Sequence, residues 1–172
     1  MGTPLYMIGQ AFGVIAVILG FVTYQVRTQK SLLLVQTFTT LVFVIHYLLI
    51  GAMSGMALNM VAMIRNIIYS RRDRGIFSGK AWPFIFAAIM GVMGALSWQG
   101  WHSIFVVLGL VINSVCMSFK DPQNIRKSIL VTSPMVLVYD AVSLSLGGIV
   151  YESVAIVSAV VGMIRFRKQN VK

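Results

Sequence analysis

Long apolar runs alternate with short polar junctions along this chain, and the runs set its architecture. Continuous apolar stretches occupy residues 5–26, 32–50, 54–69, 81–98, 103–119, 128–146 and 149–165. The hydrocarbon core of a bilayer takes about 20 residues of helix, with about 17 tolerated. Lipid cannot satisfy the backbone of an open sheet, so each run predicts a transmembrane α-helix. The breaks at residues 51–53 and at Gly147-Gly148 are only a few residues long, which makes the flanking helices antiparallel neighbours. The third and seventh runs end on Arg65 and Arg165, two side chains expected to snorkel to the headgroups.

Charge supports seven spans. With seven, the first loop (Arg27, Lys30), the third (Arg65 at its edge, Arg71, Arg72, Arg74, Lys80), the fifth (Lys120, Arg126, Lys127) and the last segment (Arg165, Arg167, Lys168, Lys172) all fall on one side. Those are all 14 Lys and Arg residues of the protein. Lys and Arg concentrate in cytoplasmic loops, so the N-terminus is expected outside and the C-terminus in the cytoplasm. Trp98 and Trp101 then belong to an outer aromatic belt, and Trp82 and Tyr69 to an inner one.

Composition agrees. Hydrophobic residues make up 58% of the chain and charged residues 10%, against about 25% charged in soluble domains. The net charge of +10 sits at the ends of apolar runs, where it meets anionic lipid headgroups; no nucleic-acid surface is expected. Cys116 is the one cysteine, which excludes an intramolecular disulfide. No basic segment or small-residue cleavage site marks a removable signal peptide.

An internal repeat is legible. Gln25, then Lys30-Ser31-Leu32-Leu33-Leu34, corresponds to Gln123, then Lys127-Ser128-Ile129-Leu130-Val131. The predicted fold is an all-α membrane protein of seven transmembrane helices, in a 3+1+3 arrangement of parallel three-helix repeats. It forms a single membrane domain, 1–172, with a first repeat at 1–74, a linker helix at 75–101 and a second repeat at 102–172. Repeats of this kind are related by an axis along the membrane normal, with binding near their interface.

Polar residues inside the spans are the candidate chemistry. Of four acidic residues, Asp140 and Glu152 lie within apolar runs, where a carboxylate costs several kcal/mol. Gln10, His46 and Asn59 join them at one depth, roughly 5–10 Å below the outer edge at 1.5 Å rise per residue, and Tyr139 adjoins Asp140. Two readings stay open. One is an outer-half pocket for a small polar solute, lined by Gln10, His46, Asn59, Tyr139, Asp140 and Glu152. The other is a set of separate interhelical hydrogen bonds, each worth about 0.6 kcal/mol. No Lys or Arg shares the outer half, and burial disfavours an unpaired charge, so at least one acid is expected to exchange protons near neutral pH. Gly9 and Gly13 on the first span, and Ala155, Ala159 and Gly162 following Glu152 on the last, are expected packing faces. No metal-ligand spacing, phosphate loop or nucleophile motif occurs. No catalytic residue, metal, cofactor or enzymatic activity is therefore expected.

Particular residues carry a family resemblance. Tyr139-Asp140, Ser145-Leu146-Gly147-Gly148, Glu152, Gly162 and Arg165-Phe166, with His46-Tyr47-Leu48-Leu49-Ile50-Gly51 leading to Arg65, resemble the YgjV family of bacterial inner-membrane proteins over essentially the whole chain. That family is in turn similar to the PQ-loop (MtN3/SWEET) superfamily of small-solute carriers, whose Pro-Gln stands here as Tyr24-Gln25 and Pro122-Gln123. The resemblance implies a multi-pass protein of the bacterial inner membrane and a small-solute transporter, with proton coupling as an expectation. This transport reading rests on fold analogy. The alternative is a non-transporting membrane receptor or assembly subunit of the same fold. Membrane lipids and a small polar solute are the expected partners, and a homo-oligomer is compatible with the sequence.

Overall fold

The computed structural model describes residues 4–72 and 75–167. Among these residues the chain is all-helical, with seven α-helices and a short 3-10 turn over Gly75–Ser78. The helices are α1 (Pro4–Thr23), α2 (Gln29–Ile50), α3 (Met53–Ser70), α4 (Trp82–Leu96), α5 (Ser103–Cys116), α6 (Pro122–Val142) and α7 (Leu146–Arg165). By length and composition α1, α2 and α7 can each cross a membrane, and α4 and α5 are shorter apolar helices. Arg74, Lys168 and Lys172, three of the predicted cytoplasmic cations, and the 1–74 boundary lie outside the described residues.

Local sequence starts and stops the helices. Thr28 caps α2 by accepting from the Ser31 amide, and Asp121 caps α6 by accepting from the Gln123 amide with Pro122 at the first position, where a missing N–H costs nothing. The sixth element therefore begins six residues before the apolar run predicts. It also ends earlier, because the α6–α7 turn lies at residues 143–145 and not at Gly147-Gly148. Ser145 caps α7 by accepting from the Gly148 amide, which places both glycines inside the first turn of α7. Close packing is what demands them there. A Cβ on Gly147 would stand 2.4 Å from Gly13 Cα, and one on Gly148 would stand 2.5 Å from the Asp140 carboxyl group.

The helices pack as a ring: α1 on α2, α2 on α3, α3 on α5, α5 on α6, α6 on α7 and α7 back on α1, with α4 outside against α3 and α5. Its polarity is inverted relative to a soluble protein. Large apolar side chains are exposed on every helix, among them Ile18, Phe38, Ile64, Phe84, Ile104, Val131 and Ile164. Buried positions include Thr23, Gln36, Asn66, Asn113, Ser133 and Asp140. An apolar exterior suits hydrocarbon, and the polar groups turn inward, away from lipid.

The hairpins α2–α3 and α6–α7 are built alike at a fixed separation of 93 residues, the spacing of Tyr47 and Asp140. At that spacing Gly51 (φ 80°) meets Leu144 (φ 54°), each in the left-handed region. The Ala52 amide donates to Tyr47 O at 2.9 Å, and the Ser145 amide to Asp140 O at 2.9 Å. All eight buried residues of α2 fall on buried residues of α6, and all seven of α7 fall on buried residues of α3.

Three side chains differ from the sequence expectation. Arg65 does not snorkel: it is 1% exposed. Arg126, expected at the headgroups, is also 1% exposed; it donates through Nε to Tyr24 O at 3.1 Å and through Nη2 to Val26 O at 2.8 Å. It thereby satisfies carbonyls that the end of α1 leaves open. Tyr69 is buried against Phe86, with its hydroxyl donating to Ser114 O, so it does not belong to an interfacial belt. Trp98 and Trp101 are exposed.

Candidate functional site

Five of the six ring helices, with the segment that follows α1, line one central cavity of about 40 Å³. A buried water needs about 10–15 Å³ by this kind of measure, so the space holds about three. The segment after α1 supplies Tyr24. Helix α2 supplies Gln36, Thr40, Phe43 and Tyr47, and α3 supplies Asn59, Ala62 and Arg65. Leu110 and Asn113 come from α5, Ile129, Thr132, Ser133 and Val136 from α6, and Tyr151 and Glu152 from α7.

The wall carries two ionisable groups of opposite sign. Asn59 and Glu152 each lie six residues into their helices, and Arg65 lies twelve into α3. At 1.5 Å per residue Arg65 is about 9 Å deeper along the helix direction than Glu152. Among the described residues no carboxylate stands within ion-pair distance of Arg65; the ionisable groups beside it are the Tyr69 and Tyr24 phenols. Arg65 Nε and Nη2 both donate to Asn66 Oδ1, at 3.1 and 2.8 Å. Among the described residues its Nη1 has no partner, and neither does Gln36 Oε1. Glu152 lies near the Ser133 hydroxyl, and Tyr151 near Gln36 and Tyr24. Buried polar groups are nearly always hydrogen-bonded, so unpartnered ones facing a cavity mark a place for water or solute.

The six residues singled out from the sequence separate into two sets. Asn59 and Glu152 share the cavity. Asn59 also donates to Gly55 O of its own helix at 2.8 Å. The other four join helices around the cavity. Gln10 donates to Leu144 O and accepts from the Gly147 amide, both at 3.0 Å, pinning α1 to the α6–α7 turn. His46 bonds Gly9 O through Nδ1 and Ser145 Oγ through Nε2, both at 2.7 Å. A carbonyl can only accept, so Nδ1 carries the proton, and the Ser145 hydroxyl donates to Nε2. The Tyr139 hydroxyl accepts from the Gly55 amide at 2.9 Å. Asp140 accepts from the Tyr47 hydroxyl at 2.7 Å. Tyr139 and Gly55, and Ser145 and Gly148, satisfy first-turn amides that a helix cannot pair internally.

A family profile described as Imp-YgjV, bacterial inner membrane protein, matches residues 7–170. The chain belongs to this family. As a YgjV-family member it is a membrane protein of the bacterial inner membrane, and its apolar helices suit that setting. Comparison with curated proteins and with solved structures gave no match.

In this YgjV-family chain, the cavity residues that sequence reasoning passed over include Arg65, Asn113 and Tyr151. Arg65 was hidden by its place near a helix end, where a cation ordinarily reaches the headgroups. One signal was present. Asn59, Ala62, Arg65 and Asn66 recur at three- and four-residue steps, which puts small and polar residues on one face of α3.

Proposed function

We propose that this protein is a small-solute transporter of the bacterial inner membrane. The observation that carries the reading is the central cavity: polar, partly unpartnered and lined from both hairpins, α5 and the segment after α1, in a protein whose exterior is apolar. A non-transporting scaffold has no need of unpaired buried donors and acceptors at its centre, since each costs about 1–3 kcal/mol.

In this reading all seven helices span the bilayer, with the N-terminus outside and the C-terminus in the cytoplasm. Helices α1–α3 and α5–α7 form two parallel repeats with α4 as linker. The shared turn geometry and burial at 93 residues support the repeats, as does the packing order, which maps onto itself when α1, α2 and α3 exchange with α5, α6 and α7. Tyr24 and Met117, again 93 apart, each follow the end of a repeat's first helix; their carbonyls accept from Arg126 and Gln29 of the opposite repeat. Carriers built from such repeats bind solute between them, and the cavity lies there. Movement of one bundle against the other opens it alternately to the two sides. Glu152 is the group in the cavity that can take up a proton from one side and release it to the other, coupling proton and solute.

The test is uptake into proteoliposomes from a panel of labelled small polar metabolites under an inward proton gradient. Saturable uptake that the gradient accelerates supports the carrier. If no solute is taken up saturably while the protein co-purifies stably with another membrane protein, the receptor or assembly reading replaces it.

A further inference from the structure

Arg65 is the most demanding group in the cavity. Its side chain is 1% exposed and lines the cavity. Both donors on one edge of its guanidinium, Nε and Nη2, are taken by Asn66 Oδ1, which leaves Nη1 without a partner among the described residues. The ionisable groups beside its charge are the Tyr69 and Tyr24 phenols. Asp140, the fully buried acid, is engaged elsewhere with Tyr47. Glu152 lies about 9 Å nearer the outer end by helix rise. A guanidinium remains charged in any protein setting, and a buried charge is ordinarily paired or hydrogen-bonded.

We propose that Arg65 is the anion-binding group of a solute subsite in the central cavity, and that the solute it takes is a small carboxylate. The proposal deepens the carrier reading and rests on it for the word solute; binding itself does not require transport. The planar donors of arginine fit a carboxylate better than a spherical ion. Gln36 lies fourteen residues from the outer end of α2, close to the depth of Arg65, and among the described residues its Oε1 also lacks a partner. This acceptor suits a hydroxyl on the solute or a water beside it, not the carboxylate itself. The cavity volume, about three waters, limits the solute to a few heavy atoms. A carboxylate at Arg65 adds one negative charge and the proton taken up by Glu152 adds one positive charge, so co-entry of anion and proton is electrically neutral.

The test uses the full chain in detergent at fixed pH and ionic strength, with acetate, its neutral isostere acetamide, chloride and methylammonium as probes, read by tyrosine and tryptophan fluorescence. Wild type should give a saturable response to acetate and at least tenfold weaker responses to the other three. Arg65→Gln should weaken the acetate response at least tenfold, and Arg65→Lys should recover part of it. Arg65→Gln that binds acetate as wild type does, or a wild type that prefers acetamide, chloride or methylammonium, overturns the proposal. The wild-type comparison stands even if a variant fails to fold. Acetate binding without uptake in proteoliposomes would sink the carrier reading and leave the anion subsite intact. Saturable uptake of neutral solutes without acetate binding would do the reverse.

Discussion

The Tyr47 hydroxyl donates to Asp140 Oδ1 at 2.7 Å, and the two residues hold matching positions in the two hairpins, one turn before each chain reversal. Asp140 is fully buried, and its Oδ2 has no hydrogen-bond partner among the described residues. The Tyr47 bond is therefore what fixes the carboxyl group against the first turn of α7. Tyr47→Phe keeps the ring stacked on Phe43 and removes the donor. The expected loss is about 1–3 kcal/mol, the cost of an orphaned buried acceptor, read by denaturant unfolding in detergent. A change below about 0.5 kcal/mol, the range of ordinary surface substitutions, would show that Asp140 relies on another donor.

The two turns make an asymmetric pair. Gly51 and Leu144 both adopt positive φ, which costs a residue with a Cβ about 1–2 kcal/mol. Gly51→Leu should lose about that much. Leu144→Gly should be neutral or stabilising by up to about 1 kcal/mol, since the carbonyl that accepts from Tyr6 and Gln10 is kept. Two thermal unfolding curves decide it; a Leu144→Gly variant that melts well below wild type would mean that the leucine side chain contributes packing that outweighs its strain.

Apolar runs made the helices legible because a bilayer demands long uninterrupted hydrophobicity. The start of α6 was missed for the same reason: Gln123, Asn124, Arg126 and Lys127 are polar and sit outside any apolar run, although Asp121-Pro122 is a readable helix start. The repeat register drawn from Lys30-Ser31 and Lys127-Ser128 is about one helical turn away from the spacing at which turns and burial coincide. Those lysines are near the surface, where position is weakly constrained, whereas the buried faces fix the alignment. Polar residues at one apparent depth were expected to share a pocket. Depth along a helix says nothing about facing, so Asn59 and Glu152 reached the cavity while Gln10, His46, Tyr139 and Asp140 bonded neighbouring helices.

Arg126 threads between α1 and α7 because Gly162 leaves room. A Cβ there would lie 2.6 Å from Tyr24 O and 2.8 Å from Arg126 Nε. Gly162→Ala should lose about 1–3 kcal/mol through overpacking and loosen the Arg126 bonds to Tyr24 and Val26. Gly91 is the control: nothing stands within 4 Å of a Cβ there, so Gly91→Ala should gain up to about 1 kcal/mol of helix propensity. Equal effects of the two substitutions on the unfolding midpoint would contradict this account.

Topology is open to direct test. A reporter active only in the periplasm should work when fused after Gly100 and fail when fused after Gly75 or at Lys172, because the cationic junctions belong on the cytoplasmic side. Activity after Gly75, or silence after Gly100, would require a different number of spans.

The two buried acids should behave differently, and that difference separates mechanism from packing. Asp140 is fully buried, held by Tyr47 and pressed against Gly148; Glu152 is partly accessible on the cavity wall. The charged and titratable groups around Glu152 include Asp140, Tyr24, Tyr47 and Tyr151, with the Ser133 hydroxyl facing it from α6. Glu152→Gln preserves shape and hydrogen bonding and removes titration. It should unfold within about 0.5 kcal/mol of wild type, as substitutions outside packed contacts do, and flatten the pH profile of ligand binding or uptake. Asp140→Asn replaces an acceptor with an amide whose N–H₂ meets no free acceptor if it turns toward Gly148, so it should lower stability by about 1–3 kcal/mol and leave the pH profile unchanged. If Glu152→Gln keeps the full pH dependence, proton coupling through the cavity is wrong. If Asp140→Asn flattens the profile in its place, the coupling group lies at the hairpin junction and the cavity serves the solute alone.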